Sequence, residues 1–327
     1  ENAALPPLTA AFETYKRNKS KPRGALPPVP FQMLTALNLG GDAWAQIAKN
    51  GSWQQVRQNL NTFARHGVFD KDKHNKDRHI RSVAAKLRDP AAIARARAMP
   101  YQLLTTWQAA GDAIPGAIRD ALQDAMEIAV QNVPQLPGSG SMQSPVTGYR
   151  AGATSKTRCI DVAALISAAV LRHNPQARVI PFEMVTVNVR LNPRDSIMTN
   201  AEKLADIGGG GTACSAPLRL LNREKARVDM VIIVSDNESW ADQVHGHKSA
   251  LLAEWDILKQ RCPQAKLVCI DIQPYVTTPA KNRADILNIG GFSDHVFTLL
   301  GDFATHDSGD DHWIRSIEAI ELLREAA

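Results

Sequence analysis

The sequence predicts a mixed fold in two parts, an α-helical region over residues 1–135 and an α/β region of Rossmann-like type over residues 136–327. Three observations predict it. The first part carries apolar residues at helical spacing with almost no β-branched alternation. The second alternates strand-like apolar runs with helical stretches, and the helical part contains an internal echo.

In the first part, Val83, Ala84 and Leu87, and later Ile118, Leu122 and Met126, fall on single helix faces. Pro27-Pro28, Pro90, Pro100 and Pro115 punctuate it near expected helix starts, where the missing N–H has no intrahelical partner to lose. The segment Pro30-Phe31-Gln32-Met33-Leu34-Thr35-Ala36-Leu37 returns as Pro100-Tyr101-Gln102-Leu103-Leu104-Thr105-Thr106-Trp107, an offset of 70 residues. Two repeats of about 35 residues give that offset, close to the period of the helix pairs in α-solenoids of HEAT-like type.

Beyond residue 150 the expected strands are Val179–Phe182, Val185–Val189, Met230–Val234, Leu267–Ile272 and His295–Leu300. The helices expected between them are Ile160–Arg172, Ala201–Ala205, Ala216–Leu221 and Ser249–Lys259, with Trp313–Glu325 as a closing amphipathic helix. Such alternation gives a mostly parallel sheet covered on both faces, with ligand sites in loops at the carboxyl ends of its strands.

The chain has 327 residues, 44% of them hydrophobic, enough for two packed cores. The formal charge of +5 is unevenly placed: residues 1–137 hold 18 Lys+Arg against 11 Asp+Glu, the remainder 20 against 22. A basic first part suits a polyanionic partner, nucleic acid rather than membrane, since no basic amphipathic helix stands out. Cys159, Cys214, Cys262 and Cys269 show no CxxC or zinc-ligand spacing, which fits a reducing compartment. The N-terminus has no signal pattern and no apolar run is of membrane-spanning length. A cytoplasmic location is expected.

Three loops carry the candidate chemistry: Gly138-Ser139-Gly140-Ser141-Met142, Gly208-Gly209-Gly210-Gly211-Thr212 and Ser235-Asp236-Asn237-Glu238-Ser239. A hard divalent cation such as Mg²⁺ takes oxygen ligands in near-octahedral geometry and keeps several waters. Ser139, Ser141, Thr212 and Asp236, on separate strand-end loops, supply oxygens of that kind. Asp236 follows the apolar run Val231–Val234, which places its carboxylate just past a buried strand.

With these loops in this order, the second part resembles von Willebrand A domains with their metal-ion-dependent adhesion site, and the chain resembles the Ro autoantigen family. That resemblance covers most of the chain: Pro30–Leu37, Trp53–Gly67 and Pro100–Trp107 look like helices of the family's RNA-binding TROVE module. Two departures stand out. Pro137 occupies the place of the Asp in the family's D-x-S-x-S motif, and Val133–Gly138 offers no apolar strand to lead into it. A sheet lacking that strand would leave its neighbours' backbone groups unpaired.

The resemblance implies binding of small structured non-coding RNA of Y RNA type on a basic outer face, and of single-stranded ends of misfolded RNA in a central hole. Candidate contacts are Lys16, Arg17, Lys19, Lys21 and Arg23 in one basic stretch, then Arg57, Arg65, His66, Lys71, Lys73 and Arg78. Lysines and arginines would neutralise phosphates, and His66 could stack on an unpaired base. No enzymatic activity is expected. Met142 replaces the last Gly of a nucleophile elbow, and the glycine run before Thr212 lacks a phosphate-binding Lys. His245 and His247 lack a third metal ligand. The competing reading is a metal-dependent protein-adhesion or assembly module that captures a partner's carboxylate and binds no RNA.

Overall fold

A computed structural model describes residues 5–17, 24–70, 76–136, 141–145, 157–207, 212–235, 249–273, 280, 283–293, 295–305, 314 and 318. The chain divides into two compact units, one of residues 1–98 and 103–129, the other of residues 99–102 and 130–327.

The first unit is helical. Its helices are α1 (Pro7–Arg17), α2 (Phe31–Thr35), α3 (Gly41–Asn50), α4 (Trp53–Gln58), α5 (Leu60–Arg65), α6 (Lys76–Leu87), α7 (Pro90–Arg95), α8 (Pro100–Ala109), whose first residues belong to the second unit, and α9 (Gly116–Ala129). Local chemistry sets several boundaries. Ser52 accepts from the Gln55 N–H at 3.3 Å while the Gln55 side chain accepts from the Ser52 N–H at 2.8 Å, a reciprocal cap that starts α4. Asp89 accepts from the N–H groups of Ala91 and Ala92 and places Pro90 at the first position of α7. The two echoing segments both open helices, α2 after Pro30 and α8 at Pro100. Trp53, Val56, Leu60, Phe63, Leu87, Ile93, Ile118, Leu122 and Met126 form the buried interior.

The second unit is a five-stranded parallel sheet with helices on both faces. Its strands are β1 (Ser141–Pro145), β2 (Arg178–Phe182), β3 (Met230–Ser235), β4 (Lys266–Asp271) and β5 (Ile286–Gly290), in the order β2-β1-β3-β4-β5. Between and after them run α10 (Cys159–His173), α11 (Ile197–Ala205), α12 (Ala216–Arg223), α13 (Ala250–Arg261) and α14 (His295–Thr305). Alternation along β3 divides the core. Met230, Ile232 and Val234 face Val162, Ile166, Phe297 and Leu300 of α10 and α14. Val231 and Ile233 face Leu218, Trp255 and Leu258 of α12 and α13. Every residue of β3 is buried, as expected of a parallel strand covered on both sides.

Four expectations are corrected. Residues 185–189 make no strand: the Val187 N–H donates to Pro181 O and the Glu183 N–H to Val185 O, so the chain turns back on β2 and leaves Met184 and Val185 exposed. His295–Leu300 begins a helix, because Val296, Phe297, Leu300 and Phe303 recur at helical spacing and cover the sheet. Ile286–Gly290, passed over in the sequence, is the edge strand β5. The central strand for which the sequence offered no apolar run is formed by Ser141–Pro145, which pairs with β2 on one side and β3 on the other. Its neighbours' backbone groups demand a partner there, and that demand outweighs the weak strand propensity of Ser-Met-Gln-Ser-Pro. Of the expected closing helix, Ile314 and Glu318 are helical and the other residues lie outside the described ones.

All four cysteines are free thiols, and burial pushes the Cys269 thiol well above its ordinary range. Among the described residues no helix is long and apolar enough to cross a membrane.

Candidate functional site

The chain leaves β1 for β2 on one side of the sheet and later reaches β3 on the other. The strand order therefore reverses between β1 and β3, the kind of position at whose carboxyl ends open α/β sheets place a ligand crevice. Thr212 belongs to this end. The Ala213 N–H donates to the carbonyl of Glu183, the residue after β2, and the Cys214 thiol lies 3.7 Å from Ser235 Oγ at the end of β3. Thr212, Ser215, Ser235 and Asp271 are all buried polar residues, and Ser235 pairs in register with Asp271. Asp271 was not singled out in the sequence; an acidic residue ending the apolar run Leu267–Ile270 was the available signal.

Ser141 is not part of this end. It opens β1 and pairs with Arg178 and Val231, the first and second residues of their strands. Val231 precedes Ser235 by four residues, and at about 3.3 Å per residue that separates Ser141 from the crevice by about 13 Å along the sheet. In this register Ser141 and Ser235 stand too far apart along the sheet to share one cation. Ser139 and Asp236 lie outside the described residues, as do His245 and His247. Among the described residues no group of three or more His, Cys, Asp or Glu could hold a metal ion.

In the helical unit the candidate RNA contacts separate by exposure. Lys16 and Arg17 are exposed in the last turn of α1, with Lys16 Nζ 3.3 Å from Glu13. Arg65 is exposed and donates to Thr62 Oγ1 at 3.1 Å, and Arg78 is exposed on α6. Arg57 is buried at 7% exposure, donates to Thr106 at 2.6 Å and lies over the Trp53 ring at 5.8 Å. Its guanidinium joins α4 to α8 within the unit's interior. His66 is half-buried, with its ring stacked on Trp44 at 5.5 Å, which occupies one face. Lys19, Lys21, Arg23, Lys71 and Lys73 lie outside the described residues.

The family model of the Ro60 vWA domain matches residues 136–304, more than half of the chain and the whole described sheet. The chain belongs to that family. Among curated relatives, the RNA-binding protein RO60 of Deinococcus radiodurans is 26% identical over 294 residues, 84% of this chain and 54% of that protein. The RNA-binding protein RO60 of Caenorhabditis elegans is 23% identical over 252 residues, 70% of this chain and 37% of its own length. The crystal structure of the Deinococcus radiodurans RO (RSR) protein superposes with a TM-score of 0.71 at 22% identity, covering 91% of this chain and 62% of that one, a likeness of fold. The chain spans about half or less of the length of these curated relatives. Within this Ro60 vWA domain, the crevice between β1 and β3 and the buried Thr212 beside it fall inside the matched segment.

Proposed function

We propose that the chain is a non-coding RNA-binding protein of Ro type, a scaffold for RNA processing or quality control that binds small structured RNA of Y RNA type and the single-stranded ends of misfolded RNA. The observation that carries this is the reach of the likeness to RNA-binding protein RO60. It extends over 294 residues, far more than the α/β unit holds, and so takes in helical residues as well. In this reading the helical unit is a TROVE-type repeat of HEAT-like helix pairs. Lys16, Arg17, Arg65 and Arg78 meet phosphates, while Arg57 holds the helices that present them. The assignment is to binding rather than catalysis, in a cytoplasmic setting.

For the α/β domain the proposal is a divalent cation of Mg²⁺ type at the crevice, with Thr212 and Asp236 as protein ligands and water in the remaining positions. When bound, the cation would offer an open position to the carboxylate of a protein partner. Thr212 supplies a fixed oxygen, because its backbone neighbour Ala213 is hydrogen-bonded to Glu183.

The test is binding of a structured RNA with a single-stranded 3′ tail to the intact chain across a salt series. Affinity falls steeply with salt, and Arg65→Ala and Arg78→Ala each lower the slope of log K against log[salt] by about 1. Arg57→Ala lowers the thermal midpoint instead and leaves the slope unchanged. Absence of binding at low salt would overturn the RNA reading and leave the metal-dependent adhesion module.

A further inference from the structure

A concave site on the α/β unit is lined by residues other than the proposed cation ligands. It is a cleft of about 550 Å³ between the turn that follows β2 and the helices α12 and α13. Met184, Val185 and Thr186 form one wall, Arg219 and Arg223 of α12 the other, and Glu254 of α13 closes it. Met184 is 55% exposed and Val185 68%, although only Glu183 separates them from the buried end of β2. Two adjacent large apolar side chains left largely in water forgo much of the stabilisation that burial would give them. Isolated exposed apolar residues are ordinary, but an adjacent pair lining a concavity marks an interaction surface.

The charges beside this apolar wall are cationic. Glu254 is engaged locally, accepting from Asn222 Nδ2 at 2.8 Å and lying 3.8 Å from Arg219. Glu224 is spent on a bidentate pair with Arg178. Arg223 lines the cleft; it and the following Lys225 and Arg227 are exposed, and among the described residues their side chains make no hydrogen bond or ion pair. Lys225 also has a left-handed backbone, φ 53°, a conformation that favours glycine.

We propose that this cleft docks an acidic, apolar-anchored segment of a protein partner, an aliphatic side chain resting on Met184 and Val185 and a flanking carboxylate pairing with Arg223. The lining distinguishes this occupant from nucleic acid. Among the described residues that line it there is no aromatic ring on which a base could stack, and there is a carboxylate that a phosphate would have to approach. Arginine and carboxylate match as planar two-point partners, and the apolar contact supplies the burial that a purely electrostatic encounter lacks.

The test uses the full chain and a fluorescent, terminally blocked heptapeptide of alternating leucine and aspartate, followed by anisotropy. Controls are the same peptide with lysine for aspartate and a single-stranded oligouridylate of equal charge. The acidic peptide binds saturably, the lysine peptide does not, and Arg223→Glu or Val185→Asp weakens binding about tenfold. Arg78→Glu, on the helical unit, leaves it unchanged. Both altered side chains are exposed, so the thermal midpoint stays constant; Arg223→Gln, which removes only the charge, serves if Arg223→Glu lowers it. Equal peptide affinity for wild type and the cleft variants would overturn the proposal. So would oligouridylate binding that depends on Arg223, which would assign the cleft to nucleic acid.

Discussion

Asp285 is the residue on which the α13 face of the sheet depends. Its Oδ2 accepts from the indole of the fully buried Trp255 at 2.9 Å and from Arg283 at 2.8 Å, with Lys259 at 3.5 Å. Desolvation pushes this carboxyl upward, but the hydrogen bonds from Arg283 and Trp255 and the nearby cations outweigh it and hold the group down at about 2. A carboxylate depressed in the folded state stabilises above its unfolded value and loses that contribution as pH falls. For Asp285 the loss runs from about pH 4 down to about pH 2 and amounts to about 2 kcal/mol. Asp285→Ala should cost about 3 kcal/mol in urea denaturation at neutral pH, because it also strands the Trp255 N–H. Asp285→Asn, which keeps an acceptor, should cost about half as much and flatten the acid limb of the stability curve. An acid limb unchanged in Asp285→Asn would show that other carboxylates govern it.

At the scale of elements, three helices end in the same way with different residues. After α5, the Gly67 N–H donates to Ala64 O and the Val68 N–H to Phe63 O. After α7, Arg97 and Ala98 bond back to Ala94 and Ile93; after α12, Lys225 and Ala226 bond back to Asn222 and Leu221. Each pair closes a Schellman motif, whose central residue takes positive φ: 71° at Gly67, 47° at Arg97 and 53° at Lys225. Glycine adopts this conformation without strain, and at position 67 a Cβ would also meet Asp70 Oδ2 at 2.9 Å. Gly67→Ala should therefore destabilise by about 1 kcal/mol or more, while Arg97→Gly should stabilise by about 0.5–1 kcal/mol. Thermal midpoints moving in the same direction for both variants would contradict this account.

For the molecule as a whole, the consequential feature is separation of the proposed roles. The exposed cations proposed for RNA lie on the helical unit, and Thr212 lies at the carboxyl end of the sheet in the other. Asp236→Ala should abolish the rise in thermal midpoint produced by millimolar Mg²⁺ and leave the salt-dependent RNA affinity as it is. Equal loss of both would mean that metal and RNA share one structural element. A Mg²⁺ response that survives in Asp236→Ala would place the cation elsewhere.

The alternation of apolar runs and helical stretches was enough to read a helical part followed by a parallel α/β part. Burial on both faces makes a strand such as Val231–Val234 continuously apolar, and caps such as Ser52 and Asp89 act within one turn of chain. The candidate site was read as three loops, of which the described residues are Ser141, Met142, Thr212 and Ser235. Whether Ser141 stands at the crevice or at the far end of the sheet is set by its pairing with Arg178 and Val231, distant residues whose register no local pattern encodes. The same holds for Arg57, which reads as a phosphate contact in a basic sequence and becomes an interior strut only when Thr106 is brought beside it. The expected strand Val185–Val189 satisfies the strand pattern through its alternating valines, yet Val185 stands with its neighbour Met184 in the cleft. Only the tertiary structure decided that the chain turns back there and leaves them exposed, since strand formation needs a neighbour with which to pair.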